Sequence, residues 1–285
     1  MISVLLAVLA SACNAAASYL QRRGTLAVPD GASPLTFART LLRRPIWLAG
    51  ILAMIGGFLF QAGALAFGGL SLVEPLLVME LPFTLIIIAV FSRTRFSTRT
   101  WLAVLAMSGG LAALLVAAAP SPGTSMPPAH KWWITLLVVA LAIGALIGAA
   151  WLTGGPLRTV LLGTATGFGF AFTAALIKGA AGILRADPID VLTSWPLYAM
   201  VASGVLTLML LQVTLRSGTL VAAQPPLTIS DPVASMVMGA LVFSESIRAG
   251  SWILLEILGV ALIVYGAIEI SKTPSFQGIV TPVRE

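Results

Sequence analysis

The stretch LSLVEPLLVMELPFTLIIIAVF, residues 70–91, decides the fold. It is long and apolar enough to cross a bilayer, which takes about 20 mostly apolar residues. Yet it carries Glu74, Pro75, Glu80 and Pro82. A second stretch, LVAAQPPLTISDPVASMVMGALVF at residues 220–243, follows the same plan. Pro225 and Pro232 have the spacing of Pro75 and Pro82, with Gln224 before the first and Asp231 before the second. Two apolar segments punctuated alike point to a duplicated membrane protein.

The likeness extends outward from these two segments. Gly68 matches Gly218 at the same offset, and Gln61 matches Gln212 within one residue. Trp101 and Trp252 open the following apolar segments, and Arg23-Gly24 corresponds to Lys178-Gly179. Apolar runs over 2–20, 45–68, 70–92, 100–119, 132–153, 158–180, 194–215, 218–243 and 251–270 predict nine spanning helices. None alternates as the strands of a membrane barrel do. The expected fold class is an all-α polytopic membrane protein. Its units are a first repeat over 1–119, an outer loop and linking helix over 120–155, a second repeat over 156–270 and a tail over 271–285. One linking span turns the second copy over, giving the inverted repeat common among secondary transporters.

Composition agrees. Of 285 residues, 59% are apolar and 9% charged. A soluble domain carries about 25% charged residues, so a soluble enzyme and a nucleic-acid-binding domain are excluded. The net charge of +6 reflects basic residues clustered between apolar runs. Arg22, Arg23, Arg39, Arg43, Arg44, Arg93, Arg95, Arg99, Arg158, Arg216, Lys272 and Arg284 fall on one side of the nine spans. The positive-inside rule then predicts a plasma (inner) membrane protein, N-terminus outside and C-terminus in the cytoplasm. Ser33-Pro34 predicts the start of a short interfacial helix over 34–44. Cys13, alone of its kind, excludes an internal disulfide and reads as a small apolar residue.

Ionisable groups at membrane depth are costly and mark pathways or relays. Glu80 and Asp231 fall near the middle of their spans, and Glu74 lies nearer the outside. Pro75, Pro82, Pro225 and Pro232 remove helical hydrogen bonds beside them, which is tolerated where backbone faces protein or a wet cavity. These acids, with Gln61, Gln212 and Gln224 as neutral donors and acceptors, form the candidate substrate or ion pathway. Glu80 and Asp231, on facing spans, are expected to act as a pair. Lys178, near a span end, is expected to snorkel to the interface, and Trp132, Trp133, Trp195 and Trp252 to form an aromatic belt. Gly144/Gly148 and Gly163/Gly167 predict tight helix packing, with a homodimer as the alternative. No metal spacing, nucleophile elbow or phosphate loop occurs, so neither a cofactor nor an enzyme is expected.

The residues from Gln61 through Gly68-Gly69 to Pro75, their counterparts from Gln212 to Pro225, and Phe243-Ser244-Glu245 before a last span with Gly259 resemble the drug/metabolite transporter superfamily. The likeness is to its EamA-like and NIPA-type magnesium-transporter branches and covers all nine spans. The usual member has ten. Small multidrug-resistance relatives carry a coupling Glu in the first span, where Cys13 and Asn14 stand here. The resemblance implies alternating-access transport of a small metabolite or drug-like solute, possible proton coupling included. The alternatives are a divalent-cation permease, a non-transporting accessory or scaffold subunit, and a flippase for a lipid-linked precursor.

Overall fold

The structure is a computed structural model that describes residues 1–25, 40–124, 127–218, 220–246, 248 and 250–273. Most of the expected interfacial helix at 34–44 and of the tail at 271–285 lies outside the described residues. Among the described residues there is no strand, and nine helices are long and apolar enough to cross a membrane. The chain is thus an all-α, polytopic integral membrane protein. Hydrocarbon offers backbone amides no partner, so each span satisfies its own.

The helices are α1 (Ile2–Thr25), α2 (Pro45–Phe67), α3 (Leu70–Leu77), α4 (Glu80–Phe91), α5 (Thr98–Ala118), α6 (Ala129–Leu152), α7 (Gly155–Ala186), α8 (Trp195–Ser217), α9 (Leu220–Phe243) and α10 (Ile253–Ser271). Together α3 and α4 make the third span. Several starts follow local chemistry. Pro45 opens α2, Pro156 and Pro196 stand in the first turns of α7 and α8, and Ser97 caps α5 by accepting the Thr100 N–H at 3.2 Å. Proline suits a first turn because its missing N–H would be unpaired there anyway.

The third span breaks where its prolines fall. The Val78 and Met79 amides bond back three residues, to Pro75 and Leu76, and Leu81 N–H takes the Val78 carbonyl at 3.3 Å. Pro82 has no N–H to give the Val78 carbonyl, and this tighter turn satisfies it instead. α9, by contrast, runs unbroken through Pro225, Pro226 and Pro232.

Packing places α3, α4, α7 and α9 inside, while α6 and α8 turn most of their residues outward. α1 packs on α2 and on the α3–α4 span; α7 packs on α8 and α9; α3 crosses α9; α5 pairs with α10. The α5–α10 pair is close because Gly110 and Gly259 meet backbone to backbone. A Cβ on Gly259 would lie 2.7 Å from the Gly110 carbonyl. α7 has 32 residues, about 48 Å at 1.5 Å each, more than the bilayer core needs. Its Gly163 and Gly167 pack on α9 as expected, but Gly144 and Gly148 on α6 have nothing within 4 Å. The expected tight internal packing at that second pair is not found.

Trp132 also departs from expectation. It is buried, edge-on to Trp195 at 5.2 Å and to Phe243 at 5.8 Å. Trp133, Trp195 and Trp252 are exposed, as a belt requires.

Candidate functional site

Where α3 crosses α9, three of the expected residues meet. Gln61 on α2 donates its side-chain amide to Glu74 Oε1 at 3.0 Å. Glu74 is 3% exposed, and Asp231 on α9 lies within its electrostatic reach. Ser235, one turn on from Asp231, donates to its Oδ1 at 3.4 Å. α7 reaches this point because Gly167 has no side chain: a Cβ there would stand 2.9 Å from the Asp231 backbone nitrogen. The Oγ atoms of Ser71 and Ser230, on α3 and α9, are buried without a hydrogen-bond partner. Buried polar atoms are normally satisfied, so the crossing holds unspent polar capacity on both helices.

Glu80 is placed differently from expectation. It is half-buried and turned to α1, where Ser18 Oγ donates to Oε1 at 3.2 Å. Of the two glutamates it is Glu74 that interacts electrostatically with Asp231. The physical reason is helix periodicity: residues six apart point about 120° from one another, so Glu74 and Glu80 do not share a face, and Glu80 opens α4 beside Ser18 of α1. Gln224 bonds within its own helix, to Thr228 Oγ1 at 3.4 Å. Gln212 is exposed on α8 and joins none of these groups. Pro75 is buried in α3, and Pro82 stands in the first turn of α4.

Sequence reasoning missed a heavily bonded buried group just beyond the end of α9. Glu245, 4% exposed, accepts the backbone N–H groups of Leu70 at 2.7 Å and Ser71 at 2.8 Å. These are orphan donors of the first turn of α3, where the helix dipole also favours an anion. Glu245 pairs as well with Lys178 of α7. Lys178 is 3% exposed, donates to the Pro122 carbonyl at 2.9 Å and lies 4.3 Å from the Phe243 ring centroid. It does not snorkel.

The loop around Glu245 is held in shape for this. Ser244 adopts a left-handed φ of 54°, rare for a residue with a side chain. Lys131 Nζ holds its hydroxyl at 2.9 Å. Glu245 N–H closes on the Gly239 carbonyl at 2.9 Å, and Thr124 N–H bonds the Phe243 carbonyl at 2.7 Å. The signal available in sequence was Lys178 itself, a cation two turns inside an apolar run, which needs an anion nearby.

At the opposite end Arg99 Nε and Lys272 Nζ both bind Glu269, at 2.6 and 2.8 Å. This joins α5 to α10 but is partly exposed. The molecule is thus closed at one end by a buried ion pair and tied at the other by a solvated one. Among the described residues no group of three or more His, Cys, Asp or Glu could hold a metal ion.

These features define a polytopic helical membrane protein with a polar, carboxylate-bearing crossing at its centre. The chain is similar to an uncharacterized protein of Corynebacterium glutamicum, 29% identical over 286 aligned positions that cover 96% of each chain. No protein-family model and no solved structure matches it.

Proposed function

We propose that the chain is a secondary transporter of the drug/metabolite transporter type. It moves a small solute by alternating access around the α3–α9 crossing. The observation that carries this reading is the Gln61–Glu74–Asp231 group inside the spans, with Glu74 buried and Gln61 and Asp231 half-buried beside a broken span. Two acids that interact within the spans are costly to keep both charged without a cation or proton to offset them. A carrier needs such a group, one whose occupancy by proton or substrate changes the stability of one arrangement against another.

The packing supports an inverted repeat. α1 with its two partners and α7 with its two partners make like sets, and the two crossings, α3 on α9 and α5 on α10, join one unit to the other. Gly24 and Gly179, matched in sequence, each lie against a tryptophan, Trp47 and Trp132. In this reading the Arg-rich end is cytoplasmic, and the ends of α3, α7 and α9 around Glu245 face outside. A second copy covering Gly144 and Gly148 would make the homodimer.

A second reading, a divalent-cation permease, is favoured by the same carboxylate pair. Mg²⁺ keeps several waters and needs only one or two carboxylates. A thermal-shift screen of the purified chain against metabolites, lipophilic drugs and divalent cations separates these. Stabilisation by an organic solute, followed by its counterflow in proteoliposomes, supports the first. Stabilisation by Mg²⁺ alone supports the second. Stabilisation by none, with a partner protein copurifying, overturns both in favour of an accessory subunit.

A further inference from the structure

At the end of the molecule away from Glu245, the connection between α4 and α5 meets the end of α10 in a pocket of about 440 Å³. Arg95, Arg99 and Lys272 line it, with Glu269 as its one acid and Thr94 adding a hydroxyl. Three cations against one carboxylate leave the pocket with a positive excess. Two of the cations are held in place: Glu269, 9% exposed, takes Arg99 Nε at 2.6 Å and Lys272 Nζ at 2.8 Å. An arginine has five N–H donors and a lysine three, so these bonds leave both side chains with donors to spare. Both also stay open, with the Arg99 side chain 70% and the Lys272 side chain 50% exposed. Arg95 is exposed and, among the described residues, makes no ion pair.

The pocket stands where two spans end, since α5 starts at Thr98 and α10 stops at Ser271. Headgroups of a bilayer lie just beyond the ends of the apolar spans. The anion met at that depth is a phosphodiester, and guanidinium and ammonium groups bind phosphate oxygens well. We propose that this pocket binds the headgroup of an anionic phospholipid. Arg95, Arg99 and Lys272 take the phosphate, and Glu269 is the strut that spaces two of them. The positive excess favours a headgroup of net negative charge over a zwitterionic one. A soluble phosphate offers the same oxygens but has no acyl chains to hold it at the span ends. The positive-inside rule accounts for basic residues at this end; it does not account for a buried carboxylate that fixes two of them in one pocket. The site uses none of Gln61, Glu74 and Asp231, so it stands or falls independently of the transport reading.

The test uses the full chain in a neutral detergent. Native mass spectrometry counts lipid adducts as dioleoyl-phosphatidylglycerol or dioleoyl-phosphatidylcholine is titrated in. One phosphatidylglycerol per chain is expected to bind first, at least about fivefold tighter than phosphatidylcholine. Arg95→Gln leaves the Glu269 pairs intact and should weaken that site about fivefold, the share of one basic residue at an anionic surface. Lys272→Gln should weaken it comparably. Arg216→Gln, at the exposed end of α8 on the same side but not in the pocket, should leave it unchanged. Monodisperse elution of each variant checks that it folds. The proposal is overturned by wild-type affinity in both pocket variants, by an equal loss in Arg216→Gln, or by no preference for phosphatidylglycerol. Displacement of the lipid by inorganic phosphate at the lipid's own concentration would also overturn it and make the ligand a soluble phosphate.

Discussion

Replacing Lys178 by Met removes one charge from a buried pair and leaves Glu245 with two backbone donors, Leu70 and Ser71, in place of three groups. Breaking a buried ion pair from one side costs about 3–5 kcal/mol, because the remaining charge is uncompensated. For a chain this long, 1 kcal/mol shifts a melting temperature by roughly 2 °C, so Lys178→Met should lower it by about 6–10 °C. The assay is thermal unfolding of the purified protein in mild detergent, read by tryptophan fluorescence. Glu245→Gln should cost a similar amount, since it strands Lys178 on the Pro122 carbonyl and the Phe243 ring. The double variant Lys178→Met with Glu245→Gln should fall short of the sum by more than 1 kcal/mol, about, as groups in one network couple. Exchanging the two residues should not rescue, because a lysine at 245 cannot accept the α3 amides. Single shifts under about 2 °C, or strict additivity, would refute the claim that this pair holds the end of the bundle together.

The remaining expectations concern packing, orientation and the acids. Gly259→Val should separate α5 from α10 and cost about 1–3 kcal/mol, whereas Gly148→Ala, with open space around it, should be neutral or stabilise by up to about 1 kcal/mol; both are read by the same melting assay. A reporter fused after Glu285 should be active only in the cytoplasm; periplasmic activity would reverse the orientation drawn from the arginines. Glu80→Gln should leave the melting temperature within about 2 °C of wild type, because its partner is a single serine hydroxyl; a larger drop would show that the α1–α4 contact depends on its charge.

How much was legible in the sequence can be judged residue by residue. The spans were readable because apolar runs of bilayer length have few other uses. Glu74 and Asp231 were legible as costly groups at depth, and Gln61 as a polar group in the span before. Their grouping was not. Glu74 and Glu80, six residues apart, point about 120° from one another on a helix, and the sequence does not say which face of the third span turns toward α9. Gln212 matched Gln61 in position yet lies exposed on α8, because an offset in sequence fixes a place along the chain and not the face a side chain takes. Glu245 was read as part of a motif beyond the end of a span, where an acid is ordinary. Its burial is created by the 121–124 loop folding over it, a contact between segments far apart in the chain.

The central claim is that the Glu74–Asp231 pair forms the substrate site. Counterflow of a solute identified by thermal stabilisation, in proteoliposomes with equal pH on both sides, tests it most directly. Glu74→Gln and Asp231→Asn should each lower the exchange rate at least about tenfold, as loss of a charged contact at a desolvated site requires. Gln212→Ala, on the exposed face of α8, should exchange at the wild-type rate. Wild-type exchange in both carboxylate variants, at matched protein incorporation, would contradict the account.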